Sequence, residues 1–191
     1  TENEDIVLGP STKNRWSYAC SKVIDEFFAL AYHKKHGLPV VIARLFNTVG
    51  PRQTGQYGMV IPTFIKQALA GNPITVFGDG SQSRCFGYVQ DVVEGLIRLA
   101  FHPDTAGEIF NLGNDQEISI GSLAELIKKK TASRSEIIFV PYDKAYEEGF
   151  EDMQRRVPSL EKVKKWINYS PRVNLDEIIE KTIDYHKKES L

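Results

Sequence analysis

Cysteine is scarce in this sequence: Cys20 and Cys85 are the two in 191 residues. Two cysteines cannot build a disulfide framework, and neither stands in a C-x-x-C pair, so a reducing cytoplasm is the expected compartment. Of the four histidines, His33, His36, His102 and His186, only the first two are close. No cysteine or carboxylate cluster joins them at ligand spacing, so no metal site is expected. No apolar run approaches the roughly 20 residues that cross a bilayer. The opening Thr-Glu-Asn-Glu-Asp has neither a starting Met nor the character of a signal peptide. An excess of one charge is missing too. Lys and Arg number 24 against 25 Asp and Glu, a formal net charge of −1. That balance argues against a nucleic-acid surface and provides no attraction to a membrane.

What is present is ordinary globular material. Hydrophobic residues make up 41%, and the length suits one domain or parts of two. Residues 14–36 predict a long helix, with Trp16, Ala19, Cys20, Val23, Phe27, Leu30 and Ala31 at helical spacing and Gly37 as its stop. "PVVIARL" (39–45) reads as a strand buried on both faces. "VIPTFIKQALAG" (60–71) reads as a helix, "ITVF" (74–77) as a strand and "CFGYV" (85–89) as another. Asp91 is placed to cap the helix that follows. "EIFNLG" (108–113) and "EIIFV" (136–140) are further strands. Ser122-x-x-Glu125 looks like a capping box, and Asn174-x-x-Glu177 like the cap of a last helix with Leu175, Ile178, Ile179 and Ile183 on one face. Strands alternate with helices, so the class is α/β.

Two further things are missing. No strand precedes the first helix, and no G-x-G-x-x-G opens a helix. The nearest stretch, Gly78-Asp79-Gly80, has Ser83 in the third glycine's place and joins two strands. The chain therefore reads as the back part of a larger enzyme.

"WSYACSK" (16–22) sets a tyrosine four residues ahead of a lysine. On a helix that spacing puts both on one face, about a turn apart. A free phenol titrates near 10, too high for a base at neutral pH, and a neighbouring ammonium stabilises a phenolate. Such a pair can take a proton from a sugar hydroxyl. Y-x-x-x-K is a short pattern, and a packed aromatic is its plain alternative. The context adds weight: the helix runs into a strand ending in "RLFNTVGPRQ" (44–53), and ligands of open parallel sheets lie beyond the carboxyl ends of strands. Asn47 stands at such an end, where a turn former is the plain alternative.

"RWSYACSK" and "RLFNTVGPRQ" in residues 15–53 resemble the extended short-chain dehydrogenase/reductases, in particular the NAD-dependent nucleotide-sugar epimerase/dehydratase family. "ITVFGDGSQSRCFGYVQDVV" (74–93), "GEIFNLG" (107–113) and "RRVPSLEKVKKWINYSPRVNLDEIIEKTI" (155–183) resemble later blocks of that family, so the likeness covers nearly the whole chain. The resemblance implies that Tyr18 is the catalytic base and that Lys22 tunes it and contacts the nicotinamide ribose, both therefore touching NAD. It implies that Asn47 contacts the sugar nucleotide, that Arg84 grips its diphosphate, and that Arg156, with Arg155 a weaker candidate, reaches the diphosphate or the sugar. Arginine's planar fork of donors suits phosphate oxygens, although each arginine alone could be a surface ion pair. Two departures stand out. The glycine-rich loop and the Ser/Thr partner of the tyrosine are absent from this chain, and Cys85 stands where many members carry an acid.

The same resemblance implies a Rossmann-like parallel sheet with a smaller α/β substrate-binding domain. Residues 1–47 and 87–113 would complete the NAD-binding domain, and 48–86 and 114–191 would form the substrate domain. It implies NAD as cofactor, a nucleotide-sugar substrate and a homodimer. Overall similarity favours a UDP-sugar 4-epimerase. Alternatives are a UDP-glucuronate decarboxylase, weakened by Met59 where decarboxylases tend to carry an arginine, and a dTDP-glucose 4,6-dehydratase-like enzyme. From another class come a non-catalytic nucleotide-sugar-binding fragment and a plain scaffold. By itself the chain is expected to be inactive.

Overall fold

The computed structural model describes residues 1–13, 15–54, 59–145 and 153–189. Its elements run α1 (Arg15–His36), β1 (Ile42–Leu45), β2 (Thr48–Val49), α2 (Val60–Leu69), β3 (Ile74–Phe77), β4 (Ser83–Cys85), β5 (Gly87–Tyr88) and α3 (Val89–Phe101). There follow β6 (Ile109–Leu112), β7 (Glu117–Ser119), α4 (Ile120–Lys130), β8 (Ile137–Val140), α5 (Tyr142–Ala145), β9 (Arg155–Arg156), α6 (Glu161–Ile167) and α7 (Leu175–Glu189). The α/β class expected from the alternation is what the chain adopts.

Strand pairing is mostly parallel. β1 pairs with β6, β2 with β5 and β3 with β8, all parallel. β4 lies between β7, antiparallel, and β9, parallel. Two apolar cores support these strands. One gathers Phe64, Ile65, Ile74, Val76, Leu123, Ile127, Ile178 and Ile179 from α2, β3, α4 and α7. The other gathers Val92, Leu99, Phe110, Leu112, Val163, Ile167 and Tyr169 around β6, with Val41, Ala43 and Trp166 against it. Each such buried side chain contributes roughly 1.5–3 kcal/mol relative to exposure. Trp16 and Trp166 are both half-buried; Trp166 meets Phe110 edge-on at 5.4 Å between ring centres. Among the described residues no helix is long and apolar enough to cross a membrane, and no group of His, Cys, Asp or Glu could hold a metal.

Helix ends follow local chemistry. Gly37 leaves α1 with φ +68°, and its N–H donates to the His33 carbonyl at 2.8 Å. The Asn174 side chain accepts from the Glu177 N–H at 3.0 Å, the cap expected for α7. Three expectations are corrected. The box at Ser122 is not the start of α4: the helix begins at Ile120, capped by Ser119, whose side chain accepts from the Ser122 N–H. Asp91 does not cap its own helix. Its buried carboxylate accepts from the backbone N–H groups of Arg172 and Val173 at 3.0 and 3.1 Å, fastening the closing segment onto α3. β1 is not buried on both faces: among the described residues it pairs with β6 alone, Ile42, Ala43 and Arg44 are half-buried, and Leu45 is 52% exposed.

Where the parallel strands β2 and β5 meet the end of β6, the backbones nearly touch. A Cβ on Gly87 would stand 3.2 Å from the Gly113 Cα. A side chain there would push the Gly113 backbone away by a few tenths of an ångström, and the Gly87 N–H bonds the Asn47 carbonyl, so the end of β1 lies next to β5.

Candidate active site

The site grows from the carboxyl end of β1. Asn47 leaves the strand with φ +22°, a conformation unusual for a side chain-bearing residue. Such backbone costs on the order of 1–3 kcal/mol and persists only where the surroundings enforce it. They do so here with three hydrogen bonds. The Asn47 carbonyl accepts from the Gly87 N–H at 3.1 Å, its Nδ2 donates to the Cys85 carbonyl at 2.8 Å, and its Oδ1 accepts from Arg156.

Arg84 and Arg156 face each other in register on the paired strands β4 and β9. Arg84 Nη1 donates to the Ser83 and Met153 carbonyls, each at 2.7 Å, which ties the residues leading into β9 to β4. Arg155 Nε reaches both oxygens of Glu117 at 3.0 and 3.1 Å, and the Ser83 hydroxyl donates to the same carboxylate. The Ser83 hydroxyl first, and then Arg155, holds the Glu117 carboxyl below its usual range. Cys85, fully buried, has its thiol pushed up to about 11 by burial, with Glu117 and Asp115 adding to it. Arg84, Arg155 and Arg156 on β4 and β9 thus lie together with Asn47 after β1, with Glu117 bonded to Arg155.

The expected residues Asn47, Arg84 and Arg156 are therefore brought together. Tyr18 and Lys22 stand apart from them on α1: no hydrogen bond or ion pair among the described residues joins either to that set. Tyr18 is 71% exposed, and the Lys22 Nζ lies 5.9 Å from the centre of its ring. Lys22 also bonds Asp25 at 2.7 Å, an interaction that raises its pKa. An ammonium beside an exposed phenol is an arrangement that stabilises the phenolate form. Glycine-rich backbone suited to a pyrophosphate at a helix start is not present among the described residues; Gly78 and Gly80 serve the turn between β3 and β4.

The sequence reading missed two residues. Glu26 on α1 and Arg44 on β1 form a two-pronged pair, Nε and Nη2 to the two carboxylate oxygens at 2.8 and 2.7 Å. A signal was available. The half-buried stripe of α1 runs Ala19, Val23, Glu26, Leu30, so a charge sits at a position where the helical period calls for an apolar residue. The apolar face expected for α1 is correspondingly rotated: Phe27 and Ala31 point to solvent.

Comparison with known proteins gives a consistent picture. The chain is 41% identical over 189 residues to the UDP-N-acetyl-alpha-D-glucosaminuronate decarboxylase of Bacillus cytotoxicus, covering 98% of this chain and 58% of that protein. It is 42% identical to UDP-glucuronic acid decarboxylase 1 of Danio rerio, over 98% of this chain and 43% of that one. The chain thus spans about half the length of these relatives. Its fold superposes on UDP-glucuronic acid 4-epimerase from Bacillus cereus, solved with UDP-glucuronic acid and NAD, with TM-score 0.82 and 26% identity over 98% of this chain and 59% of that one. The Rossmann-like class agrees with these likenesses, and a family model matches residues 1–113. More than half of the chain is thereby accounted for, and it belongs to the NAD dependent epimerase/dehydratase family.

Proposed function

We propose that this chain supplies the base-bearing helix and the sugar-nucleotide side of an NAD-dependent enzyme that decarboxylates a UDP-hexuronic acid. The observation that carries the reading is the Asn47, Arg84 and Arg156 cluster at the end of a parallel strand that is bonded to a helix bearing Tyr18-x-x-x-Lys22. The decarboxylases among the relatives support the choice of reaction, at 41% and 42% identity against 26% for the epimerase structure.

In this reading Tyr18 removes a sugar hydroxyl proton, and the Lys22 ammonium stabilises the phenolate and binds the nicotinamide ribose. NAD, when bound, supplies the hydride acceptor for transient oxidation of the sugar. Arg84 and Arg156 offset the two charges of the diphosphate, and Asn47 orients the sugar nucleotide from its enforced backbone. The pyrophosphate of NAD needs a glycine-rich helix start that this chain does not carry. The chain by itself is therefore proposed to bind NAD weakly and to be inactive, and micromolar NAD affinity in calorimetry would contradict this. A homodimer is proposed on the same family resemblance, with sedimentation of the intact enzyme as its check.

A second reading, 4-epimerisation of a UDP-sugar, is favoured by Met59. This residue is 43% exposed beside Gln53, whose Nε2 lies 3.5 Å from its sulfur, and it offers no cation to a sugar carboxylate. The experiment joins this chain to an N-terminal half of the kind its relatives have and supplies UDP-glucuronate with NAD. A product lighter by carbon dioxide in mass spectrometry supports the first reading. A product of unchanged mass supports the second. Tyr18→Phe keeps the ring and deletes the proton acceptor, so either reading expects turnover to fall roughly 100-fold or more with folding unchanged.

A further inference from the structure

Helix α1 carries Tyr18 and Lys22, yet none of its described side chains belongs to either apolar core of this chain. Within this chain its apolar contacts are half-buried ones, through Ala19, Val23 and Leu30, so the roll of the helix about its axis rests on polar links as well. The consequence is geometric. A side chain reaching about 6 Å from a helix axis moves about 2 Å in a roll of roughly 20°, and misplacement by about 1 Å can cost roughly 100-fold in rate.

The Glu26–Arg44 pair answers that need. Both side chains are largely shielded, at 17% and 23% exposure, and the two parallel bonds constrain angle as well as distance. The third arm of Arg44, Nη1, donates to the Glu2 carbonyl at 3.3 Å, while the Glu2 carboxylate accepts from the Asn111 N–H at 2.9 Å. Arg44 is thus anchored at the edge of the β1–β6 pair as well. In sequence Glu26 lies one turn beyond Lys22 and two beyond Tyr18, and Arg44 lies three residues before Asn47.

We propose that Glu26 and Arg44 are positioning residues: their two-pronged pair sets the roll of α1 over β1 and so places Tyr18 relative to Asn47, Arg84 and Arg156. The proposal rests on the reading of Tyr18 as the base. It differs from a stability role because the pair acts on the alignment of two parts of the site.

The test uses the intact enzyme described above, with kcat, KM and thermal unfolding measured for each variant. Glu26→Gln keeps the shape and removes the charge. Its kcat is expected to fall about 10-fold or more, with KM for the nucleotide sugar within about twofold; the unfolding midpoint is expected to drop, because the Arg44 charge loses its partner, with the enzyme still folded at the assay temperature. Arg44→Lys is expected to behave alike, because a point charge cannot hold the angle. Exchanging the pair, Glu26→Arg with Arg44→Glu, is expected to recover part of the kcat lost in Glu26→Arg alone. A kcat for Glu26→Gln within twofold of the parent, while Tyr18→Phe is crippled, overturns the proposal and leaves the base assignment standing. Undiminished turnover in Tyr18→Phe overturns both. If Glu26→Gln does not fold, the exchanged pair decides: folding with recovered kcat supports positioning, and folding without it overturns positioning.

Discussion

Helices α1 and α7 look alike on paper and are held in opposite ways. Both carry apolar residues at helical spacing, and both end in histidine and lysine, which favours the helix dipole. In α7 the apolar residues Ile178, Ile179 and Ile183 are buried against α2 and α4. Its neighbouring ion pairs, Lys130 with Asp176 and Glu180, decorate the rim. In α1 the order is reversed. Ile24, Phe27, Phe28 and Tyr32 face outward in this chain, and the shielded Glu26–Arg44 pair links the helix to β1. A helix fixed by burial is indifferent to its surface and intolerant of cavities. A helix fixed by a polar fork leaves its apolar face open and its chemistry dependent on angle.

The comparison can be broken most forcefully at α7. Ile179→Ala removes fully buried methyl groups and is expected to cost about 2–5 kcal/mol of stability in this chain, read as a lower denaturant midpoint. A loss below ~1 kcal/mol would show that α7 is not held by burial. A smaller contrast is offered by the cysteines, one on each side of the divide. Cys20 on α1 is partly exposed, and Cys85 in β4 is buried with its thiol raised from 9.0 to about 11. Two units leave about 100-fold less thiolate near pH 8. Cys20 should label first with a thiol reagent, and Cys85 should wait for unfolding. The sign for stability follows. The unfolded state releases the Cys85 proton first, so its contribution is fully present below pH 9 and is lost as the pH rises through about 11. Cys85→Ala should lose that part of the pH dependence, measured as the unfolding midpoint from pH 8 to 11. The smallest effect is expected on α1 itself. Phe28 is 62% exposed, so Phe28→Ala should change the stability of this chain by no more than about 0.5 kcal/mol. A loss as large as that of Ile179→Ala would erase the distinction between the two helices.

The amino-acid sequence by itself determined the parts whose physics is local. The long first helix ends at Gly37 because a left-handed residue terminates it cheaply, and the last helix starts at Asn174 because a side-chain oxygen three residues back satisfies a free N–H. The apolar runs at 74–77, 109–112 and 137–140 became strands. The family was legible as ordered motifs, and those motifs supply the proposed site residues Tyr18, Lys22, Asn47, Arg84 and Arg156. The tertiary structure alone decided whatever depended on partners far along the chain. Asp91 serves backbone groups 81 residues away rather than its own helix, and no spacing rule encodes that. β9, two residues long, exists only because β4 pairs with it, and a lone dipeptide has no periodicity to read. The outward turn of Phe27 and the inward turn of Glu26 were likewise settled by Arg44, 18 residues further on. Local propensity sets where a helix begins and ends, but its roll is a relation between two elements, and only the folded chain holds both.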